Sequence, residues 1–198
     1  MTFRYIKYTA LSFLVLFMLS CSPTPTPKPR GFFRIDLPEK QYTSFVQKNY
    51  PYIFEYPYYA EINKDLSPMA EPWWINLDVP QFKARVHISY KPVNNNLGRY
   101  LDDTHKLLHK HIPKATGIRE DIIINDDDNV YGIIYHIRGP SVASTCQFFV
   151  TDSVRHFLRG ALYFNVIPNN DSLAPIIDFL KEDIRHLVST LQWNEPEL

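Results

Sequence analysis

The sequence is poor in the residues that build special backbone turns and covalent frameworks, with only 6 Gly and 2 Cys in 198 residues. Six glycines leave little room for a glycine-rich phosphate loop, and two cysteines cannot make a disulfide scaffold. Neither sign of charge is in excess, because 21 basic residues face 21 acidic ones. No bulk field therefore draws the chain to nucleic acid or to an acidic membrane surface. The apolar run from Ala10 to Leu19 is about half of the roughly twenty residues that a bilayer-spanning helix needs. What is there is an ordinary globular composition, 45% hydrophobic and 21% charged, with 13 Tyr, 13 Phe and 3 Trp. That is enough for one domain with a sizeable core.

Residues 1–20 carry Arg4 and Lys7 ahead of that short apolar run, the layout of a secretory signal peptide that is removed. The stretch Leu16-Phe17-Met18-Leu19-Ser20-Cys21 then resembles a bacterial lipobox, with Met18 where Leu is usual. The resemblance implies that Cys21 becomes the mature N-terminus, with palmitate-type acyl chains on its sulfur and amine. Several acyl chains give lasting membrane attachment, since each buried methylene contributes about 0.8 kcal/mol. Next, Ser22 to Arg30 reads SPTPTPKPR. Proline at every second position enforces an extended rod, and at about 3.1 Å per residue residues 21–30 make a stalk roughly 25 Å long. No acid lies among residues 22–29, which favours a periplasm-facing domain. The inner leaflet of the outer membrane is the favoured attachment, with the inner membrane as the alternative. Once Cys21 is acylated, Cys146 is the remaining thiol, and its neighbours Phe148, Phe149 and Val150 place it in the core.

Residues 31–198 read as a single α+β domain, an antiparallel β-sheet packed with helices. Phe82 to Lys91 alternates strictly between apolar and polar, which predicts a half-buried strand. Further strands are expected at Tyr52–Tyr56, Trp73–Leu77, Val130–Arg138, Val142–Thr151 and Phe157–Ile167. Asn125–Asn129, Gly139-Pro140 and Asp152-Ser153 carry the turn chemistry between them. Helical spacing governs two segments. Leu97 to Ile112 places Leu97, Leu101, Leu108 and Ile112 inward, with His111 on the same arc, and Pro113 ends it. Leu173 to Leu191 carries an apolar stripe of about five turns with Ser172 as its N-cap. The order of elements resembles the Mog1/PsbP-type sandwich.

Residues with reactive chemistry are present but sparsely arranged. Asp102, His105 and His109 share one helix flank, and histidines at i and i+4 can converge on one metal. Without a glutamate in an HExxH arrangement or an identifiable third ligand, a solvated flank is the simpler reading. Asp126-Asp127-Asp128-Asn129 lacks the central Gly and terminal Glu of a calcium loop. No GxSxG elbow supports a serine nucleophile. No catalytic residue and no cofactor are therefore assigned. Trp73 and Trp74 are adjacent, so a strand would point them to opposite faces and leave one for a partner. Together with Asn94, Asn95 and Asn96, in the loop before the first helix, they form the candidate interface.

The strings WINL (74–77), YKPVNNNL (90–97), VYG (130–132), QFFVTDSVRHFLRGALYF (147–164) and DSLAPIIDFL (171–180) together resemble the gliding-motility lipoprotein GldD family of the Bacteroidetes. The likeness runs from Gly31 to Trp193. It implies lipid attachment at Cys21 and a requirement in gliding and in the linked type IX secretion system. The partners it implies are the membrane, through the acylated Cys21, and other gliding and secretion envelope proteins. It implies no reaction, no nucleic acid and no identified small-molecule substrate. The competing expectations are a metal-dependent or small-ligand enzyme using His105 and His109, and a solute-binding lipoprotein. The latter requires a deep pocket on the mixed face of the sheet.

Overall fold

Alternation places Ala84, Val86, Ile88 and Tyr90 in the interior along β5 (Ala84–Pro92), while Arg85, His87, Ser89 and Lys91 point to the other face. The computed structural model describes residues 35–194, so the signal peptide, Cys21 and the Pro-rich stalk lie outside the described residues. Before β5 come β1 (Tyr42–Phe45), β2 (Tyr52–Pro57), β3 (Glu61–Lys64) and β4 (Ile75–Val79). After it come α1 (Leu97–His109), β6 (Gly117–Asn125), β7 (Val130–Arg138), β8 (Cys146–Thr151) and β9 (His156–Phe164). The described chain closes with α2 (Asn170–Ser189) and β10 (Gln192–Trp193). Short 3-10 turns cover Pro80–Phe82 and Ile112–Lys114.

The fold is α+β, with two helices and ten strands in antiparallel sheets among the described residues. Seven strands form one sheet in the order β3-β4-β5-β9-β8-β7-β6, and β1-β2-β10 form a second, smaller one. The main core lies between them. Val86, Ile88, Phe148, Leu158 and Leu162 from the large sheet pack with Tyr52 and Phe54 of β2 and with Ile184, Leu187 and Leu191 in and after α2. A smaller cluster on the opposite face joins Tyr135, Phe149 and Phe157 to Leu108 of α1. Strand β8 is buried on both faces, which is why its sequence CQFFVT shows no alternation. Phe148 fits there because Gly160 stands opposite it, and a Cβ on Gly160 would meet the Phe148 ring at 2.1 Å.

Several boundaries differ from the sequence reading. Strand β4 begins at Ile75, because Trp73 has a left-handed φ of 66° that a strand cannot hold. Strand β8 begins at Cys146 rather than Val142, and β9 ends at Phe164 rather than Ile167, which is 90% exposed. Helix α1 stops at His109, so Ile112 falls in the 3-10 turn and is 47% exposed, while His111 is half-buried. Helix α2 starts at Asn170 with Asn169 at the N-cap position, three residues ahead of the expectation built on Ser172. Cys146 is fully buried, and burial pushes its thiol up to about 12, so it is inert near neutral pH.

One charged side chain interrupts the buried stripe of α2. Asp183 is 4% exposed and accepts hydrogen bonds from Lys40 Nζ at 2.6 Å, Tyr42 Oη at 3.0 Å and Tyr59 Oη. Lys40 also donates to the Phe179 carbonyl at 2.7 Å and lies 3.4 Å from the centre of the Phe179 ring. The cluster ties the segment ahead of β1 to α2. Burial, helped by the Asp183 carboxylate, pushes the Tyr42 hydroxyl up to about 12.

The turn between β8 and β9 is built on Asp152, whose Oδ1 accepts from the N–H groups of Val154, Arg155 and His156 at 2.8–3.0 Å. Burial alone would raise the Asp152 carboxyl, yet the three N–H donors hold it below the usual carboxylate range. Asp152→Ala is expected to cost about 1 kcal/mol at pH 7, as other lost caps do. A carboxyl depressed in the folded state stabilises above its unfolded pKa of about 3.9, and that contribution disappears as pH falls through the lower folded value. Urea melts of wild type and variant should therefore differ at pH 7, and the difference should shrink as pH falls below the usual carboxylate range.

Candidate functional site

The face of the large sheet that α1 only partly covers holds a cavity of about 490 Å³. Because β5 and β9 are paired, with Ser89 opposite Arg159, their outward positions meet on its floor. His87, Ser89 and Lys91 come from β5, and Phe157 and Arg159 from β9. Helix α1 supplies Arg99, Tyr100, Asp103, Thr104 and Leu107, and Trp74 forms one wall. A mixed face of this sheet thus lines the cavity.

The walls are fixed by hydrogen bonds. Trp74 Nε1–H donates to the Tyr90 carbonyl at 2.9 Å. Tyr100 Oη donates to the Pro92 carbonyl at 3.2 Å and accepts from Asn96 Nδ2 at 3.1 Å. Lys91 Nζ pairs with the Glu71 carboxylate and sits 5.5 Å from the Trp74 ring centre and 5.9 Å from that of Tyr100. Such ring-ammonium distances hold the lysine as a wall element rather than a free cation.

The candidate residues named from sequence take distinct places. Trp74 lines the cavity, while Trp73 is half-buried on the other side, edge-on to Tyr90 at 5.6 Å, with its indole N–H on the Asn49 carbonyl. Asn94 is exposed, and its N–H donates to Asn96 Oδ1 at 2.8 Å. Asn95 has a left-handed φ of 58°, which Asn tolerates. Asn96 is the N-cap of α1, but its side chain serves Asn94 and Tyr100 instead of a helical N–H. The loop therefore shapes the mouth of the cavity by bracing Tyr100. Asp102, His105 and His109 are exposed on α1, and His105 Nε2 lies 3.4 Å from Tyr135 Oη. Among the described residues, no group of three or more His, Cys, Asp or Glu is placed to hold a metal ion.

Charge in the cavity is unevenly matched. Burial, then the nearby Arg85, pushes the His87 imidazole down, which leaves it neutral near pH 7. Burial also lowers Arg159, whose guanidinium nonetheless stays protonated. Sequence reading missed Arg159. Its signal was a long cation in β9 between Leu158 and Gly160, within a run otherwise apolar.

Three comparisons bear on this chain. A family model described as gliding motility lipoprotein GldD matches residues 22–193, from the residue after Cys21 to the end of β10. No curated protein matches the chain. Among solved structures, the solution structure of cyanobacterial PsbP (CyanoP) from Synechocystis sp. PCC 6803 is similar over 82% of this chain and 98% of that one, at 10% identity and a TM-score of 0.43.

Proposed function

The chain belongs to the gliding motility lipoprotein GldD family, and from that premise we propose a lipid-anchored, non-enzymatic scaffold of the gliding apparatus and of the linked type IX secretion system. A lipoprotein family implies a membrane-anchored envelope protein. The anchor is Cys21, the domain faces the periplasm, and the Pro-rich stalk sets its distance from the lipid. Among the described residues, no helix is long and apolar enough to cross a membrane. The domain's work is to bind other envelope proteins of the machine, with Trp74 and the Asn94–Asn96 loop in the contact surface. Tethering raises the local concentration around a partner to the millimolar range, so modest affinity suffices.

The observation that carries this reading is the extent of the family match, which covers the stalk and every described element. The test is a clean deletion of the gene. The expected outcome is loss of colony spreading and of type IX cargo in the medium, both restored by the gene in trans. Wild-type spreading and secretion in the deletion would contradict the proposal.

A further inference from the structure

Among the described residues, no carboxylate pairs with Arg159. Its Nη2 donates to Gln147 Oε1 at 2.9 Å, while its Nε is fully buried and has no hydrogen-bond partner. The Nε2 of Gln147, a residue only 1% exposed, is likewise buried and unpartnered. The two carboxylates lining the same cavity are engaged elsewhere. Asp103 pairs with Lys106 at 3.2 Å, and Asp65 accepts from the Ser67 N–H at 2.9 Å. Lys91, the nearest ammonium on the wall, already has Glu71. A half-buried charge whose side-chain partner is neutral costs stability, and in a cavity it marks a candidate site for a ligand that completes the pair.

We propose that the cavity beneath α1 binds a small organic monocarboxylate with an apolar or aromatic body, gripped at its carboxylate by Arg159. A guanidinium presents planar, paired N–H donors that match a carboxylate at two points. Trp74, Tyr100, Leu107 and Phe157 provide the apolar walls, and about 490 Å³ is the size of a small-molecule site. Lys91, Arg99 and Arg159 against Asp65 and Asp103 leave the lining one positive charge ahead, which a single negative charge matches better than a dianion such as phosphate. The proposal stands apart from the scaffold role: neither the deletion phenotype nor its absence bears on whether the cavity binds an acid.

The test uses the full lipoprotein in lipid nanodiscs, with empty nanodiscs as the blank, and follows tryptophan fluorescence and melting temperature. The probes are 3-phenylpropionate, its uncharged amide 3-phenylpropionamide, and inorganic phosphate. The expected result is saturable binding of the acid with a rise in Tm, and at least tenfold weaker binding of the amide and of phosphate. Arg159→Met should weaken the acid at least tenfold, because the paired N–H donors have gone. Arg159→Lys, which keeps the charge but loses the two-point grip, should show the same loss of binding and guards against a misfolded Met variant. Absence of saturable binding of the acid, equal binding of acid and amide, phosphate binding as tight as the acid, or full affinity in either variant would overturn the proposal.

Discussion

A Cys21→Ala chain is expected in the soluble envelope fraction, with almost none left on membranes, and cells that carry only this form should not spread. The size of the effect follows from what the sulfur holds. A single sixteen-carbon chain contributes on the order of 10 kcal/mol of membrane attachment, and a lipoprotein amine and sulfur carry more than one chain. Among the described residues, no helix is long and apolar enough to span a bilayer in its place. The folded domain itself is untouched, so the variant should melt like wild type when purified. Fractionation with immunoblotting, read beside colony spreading, checks both parts. Retention of the Ala variant on membranes would move the anchor elsewhere in the chain.

The largest effect on stability is expected at Asp183. Replacement by Ala removes the acceptor from Lys40, Tyr42 and Tyr59 at once, and leaves an ammonium and two hydroxyls without it beside the buried stripe of α2. Breaking a buried pair in this way costs about 3–5 kcal/mol, a large share of the 5–15 kcal/mol typical of a domain. Lys40 keeps the Phe179 carbonyl and ring as partial compensation, which places the expectation toward the lower end. Asp183→Asn, which keeps an acceptor oxygen, should lose less. A double-mutant cycle with Lys40→Met should return a clear coupling energy, since both residues share one interaction. Urea melts followed by tryptophan fluorescence supply all of these numbers. A cost below about 1 kcal/mol for Asp183→Ala would mean that water replaces the carboxylate and that the cluster does not clamp β1 to α2.

What the sequence could reveal was set by which faces are half-buried. Along β5 one side meets the core and the other meets α1 and the cavity, so period two shows in the letters. The stripe of α2 is legible for the same reason, with Ile176, Ile177, Leu180, Ile184, Leu187 and Val188 all buried. Strand β6 escaped because Ile122, Ile123 and Ile124 follow one another at the edge of the sheet, and Ile122 and Ile124 are 76% and 71% exposed. The cavity was less legible still. Trp74 could be singled out by itself, but it is the pairing of β4, β5 and β9 that brings it to one cavity with Arg159. Buried charge is recognised by its partners, and these are remote in the chain. Asp183 meets Lys40 across 143 residues, and Arg159 finds only the amide of Gln147.

Both the anchor and the scaffold role converge on the chemistry of one sulfur. The intact mass of the N-terminal peptide, taken from protein isolated out of native envelopes, reads it directly. The mature chain is expected to begin at Cys21, with a diacylglyceryl group on sulfur and an acyl chain on the amine. A chain that begins elsewhere, or a Cys21 with an unmodified thiol in a protein free in solution, would contradict it.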